Sequence, residues 1–600
     1  MALHWIDWLI VISFIVVILI IGVLVSKRAG SNSAEYFLGG RSMPWWLLGV
    51  SMVATTFSTD TPNLVTDLVR THGVAGNWVW WAFLLTGMLT VFVYAKLWRR
   101  SNVMTDIEFY EIRYSGKVAA FLRGFRAIYL GVFFNVLIMG SVSLAAIKIG
   151  GVLLNLSPAQ SILVAMTVTV IYCGLGGLRS VLITDFILFS FAMFGAIMAA
   201  VVAIRLPEVG GLSNLFSHPN LAGKLSLVPV FSDSQGFWEV FVPVLLIPIA
   251  VQWWSVWYPG AEPGGGGYLV QRMLSAKDER NAMGATLFFN VAHYALRPWP
   301  WILVALASLI VFPDLASIHE RFPHLSENIV RHDIAYPAML TLLPVGLLGI
   351  VIASLVAAYM STMASHLNWG ASYVVNDFYR RFIRPAASEK ELVRVGRIAT
   401  VGLMVFAAFI ALLAENALQM FDYLLLVGAG TGLIFILRWF WWRINAWTEI
   451  TGMLVSGVVG FYMVFIHHRL GFDPIASHIR LVSGVAITTA CWLLVTYLTR
   501  PASDARLRQF YRLVRPGGPG WNAVLARARA DGDPITDTAT RGDLPRGILC
   551  MVLGSLVVYG ALFGFGFLLY GQMLRAGVFG AVAVFGSLAL FRLWGRIEMR

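Results

Sequence analysis

Charge is scarce in this chain. Only 12% of its 600 residues are Asp, Glu, Lys or Arg and 58% are hydrophobic, whereas about a quarter of an ordinary soluble domain is charged. That balance excludes a water-soluble globular protein of this length. Cysteine is scarcer still. Cys173, Cys491 and Cys550 lie in apolar surroundings, at spacings that make neither a disulfide framework nor a metal cluster. HExxH, GxSxG and phosphate-loop motifs are missing and the acids form no evident dyad, so no catalytic centre assembles and an enzyme is not expected. The net charge of +13 would suggest nucleic acid in a soluble chain. Here the basic residues gather in particular loops, which is a signature of membrane orientation.

What the chain has in abundance is apolar runs long enough to cross about 30 Å of hydrocarbon. They predict fifteen spans in an all-α integral membrane protein: 5–26, 43–67, 76–98, 120–149, 160–178, 180–206, 236–258, 283–312, 335–378, 393–414, 419–437, 447–468, 482–500, 546–570 and 575–593. The first run, Ile6 to Val25, has almost no basic leader and no convincing cleavage site, so it reads as a retained helix. The stretch 335–378 is too long for one perpendicular crossing and should tilt or extend into the cytoplasm. Arg380, Arg381, Arg384, Lys390, Arg394 and Arg397 crowd one loop, whereas 207–235 carries only Lys224. With the N-terminus outside, every basic loop falls in the cytoplasm, as does the C-terminus. A plasma membrane location follows, the inner membrane if the source is bacterial.

The segment 500–546 is the one sizeable hydrophilic region. In it Leu507, Phe510, Tyr511 and Val514 recur at helical spacing among arginines. That pattern suits a helix lying on the inner membrane surface, or else a charged linker to two added helices.

Polar groups interrupt the apolar runs at three places. In 51–67, Thr55, Thr56, Ser58, Thr59, Asp60 and Thr61 lead into Pro62. A proline there frees carbonyls, either for a cation beside an unwound helix or as a kink stabilised by threonine hydroxyls. In "MSTMASHLNW", 360–369, the residues Ala358, Ser361, Thr362 and Ser365 share a helical face. Their hydroxyls suit a small hard cation, or bond to the preceding turn. In "QWWSVWYPGAEPGGGGYLVQR", 252–272, no regular helix survives the prolines and glycines. Trp253, Trp254 and Trp257 either line a solute cavity or form an interfacial belt, and Glu262 is either an embedded functional acid or an ordinary residue at the cytoplasmic mouth. Asp185, about two turns beyond "CGLGGLRS", is a cap, a surface acid or part of an ion path.

Four segments carry a resemblance: "EYFLGGRSMPWWLLG" (35–49), "GGLRSVLITDFIL" (176–188), "YLVQRMLSAKDERNA" (268–282) and "AAYMSTMASHLNWGASYVVNDFY" (357–379). Together they resemble the sodium:solute symporter family, which includes bacterial proline, sialic acid and galactose transporters. The resemblance spans roughly residues 5–500. It implies an inverted five-plus-five helix repeat, 43–206 and 236–437, preceded by the extra helix 5–26. The helices of 447–500 would complete a thirteen-helix body spanning 1–500. Beyond it would come the amphipathic segment 501–545 and two appended helices in 546–600. It also implies a sodium site formed by the carbonyls of Ala54, Phe57 and Ala358 with the hydroxyls of Ser361 and Thr362, and a role for Asp185 in the sodium pathway.

The expected activity is sodium-coupled uptake of a small polar solute (a sugar, an amino acid or a small organic acid) with Na+ as coupling ion and no organic cofactor. No nucleic acid and no obligate protein partner are expected. The family's sugar-site residues find no clean match here. Solute contacts are therefore expected from Thr55, Thr56, Asp60, Asn135, Trp253, Trp254, Trp257 and Glu262, with Asp60 and Glu262 arguing against a strongly anionic solute unless Arg297 reaches the cavity. The alternative is a transporter-like sensor acting through 500–546.

Overall fold

The computed structural model describes residues 3–26, 32–229, 237–255, 262–323, 325, 330–413, 430–535 and 543–597. The described chain is helical throughout, with ten helices long and apolar enough to cross a membrane. The elements that matter are α1 (Trp5–Ser26), α2 (Trp45–Thr56), α3 (Asp60–His72), α4 (Val74–Ser101), α5 (Gly116–Leu154), α6 (Pro158–Arg205) and α7 (Trp238–Trp254). They continue with α8 (Gly267–Ser275), α9 (Glu279–Val311), α10 (Leu347–Ile383), α11 (Glu389–Leu413), α12 (Gly432–Phe440), α13 (Ala446–Ile466) and α14 (Ser477–Leu498). The chain ends in α15 (Asp504–Val514), α16 (Asn522–Ala530), α17 (Asp543–Leu569) and α18 (Met573–Trp594). Most of the expected span 419–437 lies outside the described residues, which resume at Gly430.

Among the described residues, two spans are interrupted. The first breaks between α2 and α3, at residues 57–59. Phe57 leaves the helical region with φ −87° and ψ 71°, and Pro62 falls in the first turn of α3, where its missing N–H costs nothing. The break therefore precedes the proline rather than centring on it. The second interruption separates α7 from α8. The two broken spans meet where Met43 N donates to Ser275 O (3.2 Å) and Lys277 N donates to Met43 O (3.3 Å).

Helix α6 runs for 48 residues, about 72 Å at 1.5 Å per residue and far more than one crossing. Its two halves pack against different partners. Ile162 packs with Leu144 and Ile147 of α5, and α5 lies antiparallel to α10 through Ser143 with Tyr359 and Asn135 with His366. The later half pairs Asp185 with Ser361 and seats Gly195 on Ser354.

The stretch 335–378 proves not to be a single span. A short helix, Ala335–Leu340, ends in a turn before α10 begins at Leu347. Asp7 of α1 caps that beginning, accepting from Gly346 N at 2.7 Å and Gly349 N at 2.8 Å. Its carboxylate sits at the positive end of the helix dipole.

The amphipathic helix α15 does not turn its apolar face to the membrane. Leu507, Phe510, Tyr511 and Val514 are buried against protein. Phe510 meets Phe109, Trp439 and Trp521, and Trp521 Nε1 donates to Trp439 O at 2.8 Å. The Arg113 guanidinium lies over both the Phe510 and Trp521 rings. Periodicity reveals an apolar face but not what covers it, and here aromatic residues at the ends of other helices do so. Helix α17 packs on α4, with Gly554 against Met88 and Phe92 and Lys96 paired with Asp543.

Candidate functional site

Three elements converge where the interrupted α2 ends. Thr362 Oγ1, from α10, donates to the carbonyl of Thr55 at 2.8 Å, and Ser361 Oγ donates to Asp185 Oδ1 at 2.6 Å. Ser51 Oγ donates to the other Asp185 oxygen, at 2.5 Å. The carbonyl of Ala54 accepts from Phe57 N at 3.1 Å in the turn that closes α2. Ala358 lies one turn before Thr362 on α10, 2% exposed. Thus Ala54 and Phe57 at the end of α2 face Ala358, Ser361 and Thr362 in the middle of α10, and Asp185 of α6 is drawn into the same network. A hydroxyl-and-carbonyl set of this kind is a hard oxygen shell of the sort small alkali cations prefer, built on the free end of a broken helix.

Below this point a buried polar network seals the contact between α2, α8 and α10. Thr55 Oγ1 and Ser365 Oγ share a hydrogen bond of 2.7 Å, and Arg272 donates to Ser365 Oγ (2.5 Å), Ser51 Oγ (3.2 Å) and Gln271 Oε1 (2.9 Å). Gln271 Nε2 in turn donates to Asn368 Oδ1 at 2.9 Å. The Arg272 side chain is fully buried, so its charge needs these acceptors and the Asp185 carboxylate nearby.

A cavity of about 120 Å³ adjoins Thr55 and Thr362. Thr56, Ser58, Asp60 and Thr61 line it from the break, Tyr268 and His366 from α8 and α10, and Trp80, His293 and Arg297 from α4 and α9. Its polar wall is preassembled. Thr56 Oγ1 contacts His293 Nδ1 at 3.0 Å, and Arg297 reaches Thr56 Oγ1 at 3.2 Å and His293 Nε2 at 3.1 Å. A π-helical turn at Ala292–Leu296 presents these groups, a local widening often found at functional positions. Arg297 stacks over Trp301, while its Nε and Asp60 Oδ1 are buried without hydrogen-bond partners. The cavity is small beside the roughly 300–1,000 Å³ of organic-ligand pockets, so admitting a solute requires its walls to part.

The expected solute residues divide. Thr55, Thr56 and Asp60 line the cavity. Asn135 stands behind it, its side-chain oxygen 2.7 Å from His366 Nδ1 and its Nδ2 donating to His366 O at 2.8 Å. Glu262 lies elsewhere, buried in an ion pair with Arg126, whose guanidinium sits over Tyr110 and Phe435. Trp254 turns its Nε1 to Ala250 O (2.8 Å), and the Trp253 carbonyl accepts from Thr86. Neither tryptophan lines the cavity. Trp257 lies outside the described residues. The glycine-rich run suggested a solute wall, but its acid had a cationic partner more than a hundred residues away, which spacing does not reveal.

Sequence reasoning passed over Ser51, Trp80, Tyr268, Arg272 and His293, and named Arg297 only as a proviso. The available signal was ionisable groups inside the apolar span 283–312, since an intramembrane His or Arg marks a functional site by default. Among the described residues no group of His, Cys, Asp and Glu is arranged to hold a metal.

Known proteins share this architecture. The chain is 28% identical over 505 residues to a sodium/glucose cotransporter of Vibrio parahaemolyticus, covering 81% of this chain and 90% of that one. It is 26% identical to the sodium/mannose cotransporter of Bos taurus, covering 73% and 75% of the two chains. A structure of a Na+-coupled sialic acid symporter, in a substrate-bound outward-open state, superposes with TM-score 0.65 at 20% identity, covering 83% of this chain and 99% of that one. Residues 36–457 match the sodium:solute symporter family. With a polar site buried between membrane helices, the chain works as a sodium-coupled secondary transporter of a small polar solute, and it belongs to the sodium:solute symporter family.

Proposed function

We propose that sodium binds between the end of α2 and the middle of α10, coordinated by the carbonyls of Ala54, Phe57 and Ala358 and the hydroxyls of Ser361 and Thr362. The observation that carries this reading is the hydrogen bond from Thr362 Oγ1 to the Thr55 carbonyl, 2.8 Å, beside the Ser361–Asp185 contact. It brings both hydroxyls to the free end of the broken helix. Sodium there would hold α2 to α10 and so fix the cavity wall at Thr55 and Thr56, which is how ion binding favours solute binding. Asp185, sharing Ser361 with the ion, offers the next oxygen on its inward route. Each cation moved inward contributes about 2.3 kcal/mol per 100 mV, and its concentration gradient adds to that.

The solute we infer is small, polar and uncharged overall. Asp60 and Arg297 set one negative against one positive charge around the cavity, and the sugar cotransporters among the similar proteins favour a polyol or sugar. The two interrupted spans, α2–α3 and α7–α8, support an inverted five-plus-five repeat over 43–206 and 236–437. The loop charges support an N-terminus outside and a C-terminus in the cytoplasm of a plasma membrane. Proteoliposome uptake of a panel of sugars, polyols and amino acids, with a sodium gradient or with potassium at matched potential, tests the function. Accumulation only with sodium is expected, and equal accumulation with potassium rejects it.

A further inference from the structure

A second cavity, of about 310 Å³, lies between α1, α5, the first half of α6 and α10. Trp8 and Ile12 of α1, Leu153 of α5, Val164 of α6 and Leu355 of α10 typify its wall, which is aliphatic or aromatic almost throughout. Three hydroxyl-bearing side chains reach it, and two are already engaged. Thr59 Oγ1 donates to Val142 O at 3.4 Å, and Tyr359 shares a 3.0 Å hydrogen bond with Ser143. The third is different. Ser161 is 6% exposed and its Oγ has no hydrogen-bond partner.

All four walls are apolar helices of a membrane protein, two of them long enough to span, so the medium available to fill the cavity is lipid. A buried hydroxyl without an acceptor is costly beside hydrocarbon. Ser161 lies in the first turn of α6, four residues after the capping Ser157. A helix start of this kind sits at the edge of the apolar layer, where lipid ester groups lie. An ester carbonyl is an acceptor joined to an acyl chain, so one molecule satisfies both the hydroxyl and the aliphatic wall.

We propose that this cavity binds a glycerophospholipid, one ester carbonyl accepting from Ser161 Oγ and the attached acyl chain lying between α1 and α10. The chain's inner end meets Thr59, at the break before α3, and Met360, next to Ser361. The site is thus placed behind the broken helix, on a face distinct from the solute cavity. Helix α1 gains a role beyond crossing the membrane, since it supplies one wall.

The full-length protein in liposomes, doped with a phosphatidylethanolamine bearing a diazirine on one acyl chain, tests this by photolabelling and peptide mapping. Labelling should concentrate in 3–15 and 146–168 relative to the lipid-exposed α18. It should fall at least roughly fivefold when Ala165→Phe fills the cavity, and roughly threefold in Ser161→Ala, which keeps the cavity open and loses one hydrogen bond. Label spread evenly over exposed helices, or enriched there but unchanged in both variants, overturns the proposal. So does a protein segment cross-linked into the cavity in place of lipid.

Discussion

Thr362 and Thr55 are 307 positions apart, and the hydroxyl of the first donates to the backbone carbonyl of the second at 2.8 Å. A carbonyl at the end of a helix needs a donor or a cation. The site offers it a hydroxyl that donates its proton and keeps both lone pairs usable, so sodium can enter without a partner being lost.

Thr362→Ala and Ser361→Ala should each weaken sodium binding by roughly tenfold or more, as expected for losing one polar contact of about 1.5 kcal/mol to a charged partner. Thr362→Ser should retain most of the affinity. Ser365→Ala should change it less, because Ser365 serves Thr55 and Arg272 rather than the proposed shell. Sodium titration of intrinsic fluorescence checks all four.

Arg297 should divide solute binding from ion binding. It touches Thr56 and His293 at the cavity wall and no proposed sodium ligand. Arg297→Ala should lower solute affinity roughly 10- to 100-fold, the loss of a charge-assisted hydrogen bond of about 1.5–3 kcal/mol, with sodium affinity nearly unchanged. Paired solute and sodium isotherms on the variant decide it.

Glu262→Ala should damage stability rather than selectivity. It would strand Arg126, which is 2% exposed, and breaking a buried pair from one side costs about 3–5 kcal/mol. A lower unfolding temperature with an unchanged order of solute preference is the expected result. A reordered preference would return Glu262 to the solute path.

The docking of α15 makes a separate claim. Phe510 is fully buried among Phe109, Trp439 and Trp521. Phe510→Ala should cost about 3–5 kcal/mol of docking and expose α15 to trypsin, whose targets there include Arg506 and Arg512. Limited proteolysis of the intact protein, before and after substitution, reads this directly.

The sequence made most of the architecture and half of the site legible, and the reasons are physical. Apolar run length specifies a crossing, so α4, α9 and α14 lie close to their expected positions. Ser361, Thr362 and Asp185 stood out because hydroxyls and an acid inside apolar helices demand partners. Helix α15 showed its apolar face at the right spacing, yet its cover consists of aromatic residues contributed by separate helices. Glu262 misled for the same reason, since Arg126 neutralises it across 136 positions. His293 and Arg297 were visible as ionisable residues inside an apolar span, but only the fold shows that they meet Thr56 at one cavity.

The most direct test of the central claim is a radioactive sodium binding isotherm on the purified protein, set beside that of the Ser361→Ala/Thr362→Ala double variant. If the ion sits between α2 and α10, the double variant should lose at least roughly a hundredfold in affinity, about two charged polar contacts, while still folded by its unfolding temperature. An unchanged isotherm would place sodium elsewhere and leave these hydroxyls a structural role.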